Sequence, residues 1–254
     1  MKWQLKSRNL VAIVVLGLVC ISCGPEKRPR LAIAFVIDLT GSIEQEAIRE
    51  ALESLSPLFD NKKLQRGDSI YVIPITGDTL TESQGKILRI HLNENRQVYD
   101  SDLTNLASEV KEKLELMQAE AIANPYQHSD ILGAADLAAE ELSIEKGKVH
   151  KVIVILSDFI QDDSKLNFNT SSDLANDLSA IALAKELSDS HKDVFAGTSL
   201  YLGMLRSKDL KKMAKPRREA VQIFWQEYFK QQRAEHVSVA IDGPGRIPTV
   251  LNSD

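Results

Sequence analysis

With 254 residues, 43% of them hydrophobic and 26% charged, the chain falls in the ordinary globular range and is long enough to bury a substantial core. Its 36 acidic residues against 31 basic ones give a net charge of −5, which argues against the clustered basic surface that a nucleic-acid footprint requires. The dense basic stretches are Lys27–Arg30, read as a solvated spacer whose charge would also favour anionic headgroups, and Lys211–Arg218, read as an exposed helix entrance.

In chain order, Lys2, Lys6 and Arg8 precede the apolar run Leu10–Ile21, which is too short to cross a bilayer comfortably but suits the middle of a secretory signal. The run ends in CISCG, which resembles the lipobox of bacterial lipoproteins, although Cys20 stands where leucine is usual. That resemblance implies a signal peptide over residues 1–22, a lipidated Cys23 with a spacer to residue 30, and a membrane-anchored, extracytoplasmic body in the cell envelope. Removing residues 1–22 takes away three basic residues and no acids, so 28 basic residues remain against 36 acidic ones and the charge becomes −8. Both cysteines lie in the leader, so the body has neither a disulfide nor a thiolate metal site.

The body, residues 31–254, alternates strand and helix patterns. Leu31–Asp38 is almost continuously apolar, as in a parallel strand covered on both faces. Ile48, Leu52, Leu55 and Phe59 then recur at helical spacing, in a helix expected to end near Pro57. Strands follow at Asp68–Thr76 and Lys86–Asn93. The connection between them is too short for a helical crossover, so they should pair antiparallel with the latter at an edge. Pro74 sits awkwardly inside the former. Next come a helix carrying Leu103, Leu106, Val110, Leu114, Met117 and Ala121 on one face, a second at Ile131–Leu142, and the strand Val149–Asp158. The stretch Gln161–Asp173 reads as a solvated acidic loop. Beyond it lie a helix at Leu178–Leu187, a strand at Thr198–Leu205, and a helix from about Pro216 with Phe224, Trp225, Tyr228 and Phe229 on a core-facing side; the strand His236–Ile241 is last. The pattern predicts one three-layer α/β domain with a mostly parallel sheet, one antiparallel edge strand and helices on both faces.

Two core strands stop at aspartates, Asp38 and Asp158, and in an open parallel sheet ligands gather beyond the carboxyl ends of the strands where their order reverses. After Asp38 the segment DLTGS offers Thr40 and Ser42 at alternate positions. Carboxylates combined with hydroxyls make an environment for a hard cation such as Mg2+ or Mn2+. Here the sequence resembles the von Willebrand factor type A family. DLTGS matches its Asp-x-Ser-x-Ser motif, HSDILGAA places Ser129 at the family threonine before a central helix, and VIVILSDF supplies Asp158. The resemblance covers roughly Leu31–Asp242. It implies a metal site of Asp38, Thr40, Ser42, Ser129 and Asp158, with an open position for an acidic side chain of a protein partner and no catalytic machinery.

Three departures bear on that expectation. Thr40 adds a methyl where serine is usual, Asp130 stands beside Ser129 as a competing ligand, and Phe159 replaces a glycine, which predicts a loop without free access to positive φ. His128 reads as a loop residue and not a ligand. A plain helix cap would also explain DLTGS taken alone. Two other readings stand beside adhesion. Haloacid dehalogenase-like phosphatases also begin with a strand-ending aspartate, with Ser157 as phosphate support, but here Thr40 occupies the place of their proton donor and Lys165 follows the serine strand too closely. A scaffold with a decayed site would keep the fold and ignore divalent ions.

Overall fold

The computed structural model describes residues 28–55, 64–83, 85–124, 126–189 and 193–240. The expected signal peptide, Cys23, Pro57 and Phe59 lie outside these residues.

Six strands form one sheet: β1 (Arg30–Asp38), β2 (Ser69–Ile75), β3 (Leu88–His91), β4 (Val149–Ser157), β5 (Thr198–Met204) and β6 (His236–Ala240), in the order β3-β2-β1-β4-β5-β6. All neighbours pair parallel except β2 and β3, which are antiparallel and leave β3 at the edge, as the short connection requires. The β2–β3 ladder ends at Val72, two residues before Pro74, so no β3 partner opposes the proline ring. The chain moves outward from β1 to β2 on one side and from β4 to β6 on the other. The order therefore reverses between β1 and β4, and Asp38 and Asp158 stand together at that crevice.

The described helices are α1 (Gln45–Glu53), the single turn α2 (Thr79–Glu82), α3 (Asp100–Ala123), α4 (Ile131–Ser143), α5 (Asp177–Asp189), the short α6 (Lys208–Lys212) and α7 (Lys215–Gln231). Because successive residues of a strand face opposite sides, β1 divides its apolar run between two cores. Leu31, Ile33, Phe35 and Ile37 pack with α1 and α3, while Ala32, Ala34 and Val36 pack with α4, α5 and α7. The aromatic side of α7 is core: Phe224, Trp225, Tyr228 and Phe229 are buried, and Pro216 sits in the first turn.

Three expectations are corrected. Helix α1 ends at Glu53, with Ser54 Oγ donating to the Ala51 carbonyl at 2.6 Å. A proline at 57 has no N–H for the carbonyl of residue 53 and its ring would clash there, so the helix stops a turn early. The basic spacer is not merely solvated: Arg28 pairs with buried Asp68 at 2.6 Å, and Arg30 bonds Glu94 and the Lys146 carbonyl. The acidic loop is anchored: Gln161, Phe168 and Leu174 are fully buried, and Phe168 meets Phe224 edge-on with ring centroids 4.8 Å apart. The basic helix entrance contributes to that anchoring, since Arg217 Nε donates to the Phe168 carbonyl at 3.0 Å and its Nη2 to that of Ser171.

Candidate functional site

The loop after β1 turns Asp38, Thr40 and Ser42 toward one point. Asp38 is fully buried, and its Oδ1 accepts from the Thr40 backbone N–H at 3.0 Å and the Thr40 hydroxyl at 2.6 Å. Its Oδ2 accepts from the Ser157 hydroxyl at 2.6 Å. With its proton committed to Asp38, Thr40 Oγ1 acts as acceptor for Ser129 Oγ at 3.1 Å and for Ser42 Oγ at 3.2 Å. Three hydroxyls from two distant segments thus meet over one carboxylate. The methyl of Thr40 is accommodated, since the residue is buried with both its polar groups satisfied. The cap reading of DLTGS fails, because α1 begins only after Glu44 and no side chain caps it.

Asp158 completes the cluster at the end of β4. Its Oδ1 accepts from the Ile160 N–H at 3.0 Å, whereas Oδ2 is buried without a hydrogen-bond partner among the described residues. Burial, and then the charge of Asp38, push the Asp158 carboxyl up to about 7, against opposition from the nearby Ser207 hydroxyl and the Ile160 N–H. Burial also raises Asp38, opposed by the donors from Ser157 and Thr40. Both carboxyls are therefore held above the ordinary carboxylate range by burial, with Asp38 the one that accepts from more donors.

Phe159 does adopt positive φ, at 62°, although its side chain disfavours it. Such a conformation costs on the order of 1–3 kcal/mol and persists only where neighbours enforce it. Here the Trp225 indole N–H donates to the Phe159 carbonyl at 2.8 Å, the Phe159 N–H donates to Ser157 Oγ at 3.0 Å, and the two rings meet at 5.9 Å. The core helix α7 thereby fixes the backbone beside Asp158.

Asp130 does not compete as a ligand. It caps α4, with Oδ1 accepting from the Gly133 N–H at 2.9 Å and from Gln161 Nε2 at 3.3 Å, and Oδ2 from the Thr79 N–H at 3.1 Å. Gly133 is required by this cap, since a Cβ there would lie 2.1 Å from Asp130 Oδ2. Gln161 escapes sequence reasoning altogether. Its Oε1 accepts the first two amides of α4, Ile131 at 2.8 Å and Leu132 at 3.0 Å, and its Nε2 also reaches Asp163 at 3.0 Å. The one sequence hint was a neutral amide standing just before two aspartates at a strand end. Backbone bonds between Ser129 and Asp162, at 2.8 and 2.9 Å, tie the same two loops together. His128 is exposed and faces Asp162 at 3.4 Å, not the cluster. The first loop is held in the same manner, with Glu44 N–H donating to the Arg206 carbonyl and Lys208 N–H to that of Ser42, both at 3.1 Å.

All five expected residues therefore lie at one rim, on loops pinned to each other. Among the described residues no group of three or more His, Cys, Asp or Glu side chains could hold a metal ion, so any ion here would rely on hydroxyls. Two carboxylates and three hydroxyls, with one carboxylate oxygen, Asp158 Oδ2, not engaged in a well-formed hydrogen bond, fit a small hard dication. Lys165, which a phosphatase would need beside Asp38, is exposed on the acidic loop.

No protein-family model matches the sequence, and no curated protein matches it. Among solved structures it is similar to an aerotolerance-related membrane protein from Bacteroides fragilis with multiple mutations to serines, at 16% identity over 87% of this chain and 96% of that one, with a TM-score of 0.46. The manganese-loaded TRAP protein of Plasmodium vivax matches at 13% identity over 89% and 72%, with a TM-score of 0.45. The conserved hypothetical protein BatB from Bacteroides thetaiotaomicron matches at 13% over 88% and 100%, with a TM-score of 0.46. The chain's own topology, a β3-β2-β1-β4-β5-β6 sheet with antiparallel β3 at one edge and helices on both faces, is the three-layer α/β fold expected from its sequence.

Proposed function

We propose that the protein is a lipid-anchored, extracytoplasmic binding module that engages another protein through a divalent cation, Mg2+ or Mn2+. Thr40, Ser42 and Ser129 would hold the ion through hydroxyl oxygens, and Asp38 and Asp158 would supply charge. The ion would contribute a hard positive centre that an acidic side chain of the partner can ligate. The reading is carried by the convergence of three hydroxyls, with Ser42 Oγ and Ser129 Oγ each within 3.2 Å of Thr40 Oγ1 over the buried Asp38 carboxylate, at the strand end that also carries buried Asp158.

The protein's own residues do the rest. Ser157 and Thr40 hold Asp38 in one orientation, Trp225 and Ile160 hold the segment that carries Asp158, and Gln161 with the Ser129–Asp162 bonds sets Ser129 against both. A site so pinned needs little reorganisation on binding, which favours affinity. It holds no positioned acid or base beside a free nucleophile: Asp38 is buried with both oxygens accepting, so the reading is one of binding and not catalysis.

The test is thermal unfolding and partner capture with the full chain in Mg2+, in Mn2+ and in chelator. The proposal expects a metal-dependent rise in melting temperature and an interactor recovered only with metal. Identical melting and identical interactors in all three conditions would overturn it in favour of a scaffold with a decayed site.

A further inference from the structure

The edge of the sheet opposite the cluster carries a second charged feature. Arg30 enters β1 between two glycine turns, its side chain 2.8 Å from where a Cβ on Gly67 would stand and 3.9 Å from one on Gly147. Beside those glycines are Arg66 on one side and Lys146 and Lys148 on the other, all exposed. The nearby acids are already occupied. Asp68 accepts from Arg28 and from the backbone N–H groups of Leu31 and Gln65, Glu94 from Arg30, and Glu145 from the Tyr71 hydroxyl. Arg66, Lys146 and Lys148 form no ion pair among the described residues, and Ile144, 66% exposed, stands beside them. A body of net charge −8 thus gathers Arg28, Arg30, Arg66, Lys146 and Lys148 against Asp68, Glu94 and Glu145 where its chain enters the fold, a local excess of positive charge.

We propose that this edge, Arg66, Lys146 and Lys148 flanking Arg30, is a membrane-facing surface that binds the anionic headgroups of the bilayer carrying the anchor. The inference rests on the lipid-anchor reading in one respect. Cys23 lies five residues before Arg28, a reach of at most about 18 Å. The clamp of Arg28 on Asp68 fixes the end of that tether to the basic edge, so a lipid at Cys23 would hold this edge and not the cluster at the headgroups. Each basic side chain near an anionic surface contributes roughly a fivefold shift, so three give on the order of a hundredfold preference for the face-down orientation. The cluster would then point away from the membrane, toward a partner.

The experiment reconstitutes the full chain in vesicles of phosphatidylcholine alone or mixed with phosphatidylglycerol, each with a quencher on the headgroups. One variant carries a fluorophore at Ile144→Cys and a second at Leu80→Cys, an exposed position in α2 beyond the opposite end of the sheet. The proposal expects quenching at residue 144 that is several-fold stronger with phosphatidylglycerol, is lost as salt rises from about 0.1 M to about 1 M, and is abolished by Lys146→Glu with Lys148→Glu. Residue 80 should not respond. Equal quenching in neutral and anionic vesicles, or equal responses at both positions, would overturn it. The mass of the purified amino terminus tests the anchor separately. If no lipid is found there, salt-sensitive co-sedimentation of the chain with phosphatidylglycerol vesicles still supports the surface, and its absence refutes it.

Discussion

Replacing Asp158 by Asn should change stability in opposite directions according to whether metal is present. The carboxyl is held up to about 7 from an ordinary 3.8, chiefly by burial and next by Asp38. Raising a carboxyl in the folded state means that folding favours its protonated form. Stability is therefore greatest below the unfolded value and falls as pH rises through the window from 3.8 to about 7, remaining low above it. That window corresponds to about 4 kcal/mol at 1.36 kcal/mol per pKa unit. The new amide retains the oxygen that accepts from Ile160 but brings an N–H2 group where no acceptor is built, at a cost of about 1–3 kcal/mol. The net gain in chelator at about pH 8 is then roughly 1–3 kcal/mol, or about 2–12 °C in melting temperature for a domain of this size. With Mn2+ the order should reverse: at a thousandfold excess over its dissociation constant, the ion adds about 4.1 kcal/mol to the parent alone. Melting curves in chelator and Mn2+, at acidic and alkaline pH, check both halves. A variant less stable than the parent in chelator at alkaline pH would refute the electrostatic reasoning, and equal gains from Mn2+ in both proteins would remove Asp158 from the site.

Ser129→Ala should lower stability in chelator by about 1 kcal/mol, one neutral hydrogen bond to Thr40, yet sharply reduce Mn2+ binding measured by calorimetry; retained binding would exclude the hydroxyl as a ligand. Trp225→Phe removes the N–H that holds the Phe159 carbonyl while retaining most of the ring, and should cost about 1–3 kcal/mol in denaturant unfolding with a weakened metal response. Gly133→Ala should destabilise by about 1–3 kcal/mol in denaturant unfolding through the collision of its Cβ with the Asp130 cap, and an unchanged midpoint would refute that role for the cap.

The architecture was legible because burial writes itself into apolar pattern. The continuous run at Leu31–Asp38 announced a parallel strand covered on both faces, and the short link before Lys86–Asn93 announced antiparallel β3. The five candidate residues were picked out at strand ends and a helix entrance by the type A resemblance, and the fold brings those positions to one rim. What escaped reading was the hydrogen bonding of polar side chains, which has no periodicity. Gln161, fully buried amid acids, looked like solvent-facing loop, and the left-handed Phe159 could not be foreseen because its cause, the Trp225 N–H, lies 66 residues away. The early end of α1 was readable in hindsight, since Pro57 bars the carbonyl of residue 53 and the amphipathic spacing had hidden it.

The surrounding acids bear most directly on whether a bound ion would stay open to a partner. A dication that met four or five carboxylates would be neutralised and would have little attraction left for an incoming acidic group. Asp130, Asp162 and Asp163 all lie within a few residues of Ser129 or Asp158, yet each is turned to local use. Asp130 caps α4, Asp162 accepts from Asn167 Nδ2 at 2.7 Å, and Asp163 accepts from the Lys165 and Leu166 amides at 2.7 and 2.6 Å. The acidic loop thus consumes its own charge in building its turn, and Asp209, whose charge also reaches Asp158, is paired with Lys212 at 3.5 Å. At a bound dication the pinning loops would therefore serve affinity twice over, by fixing the hydroxyls and by holding competing carboxylates away from them.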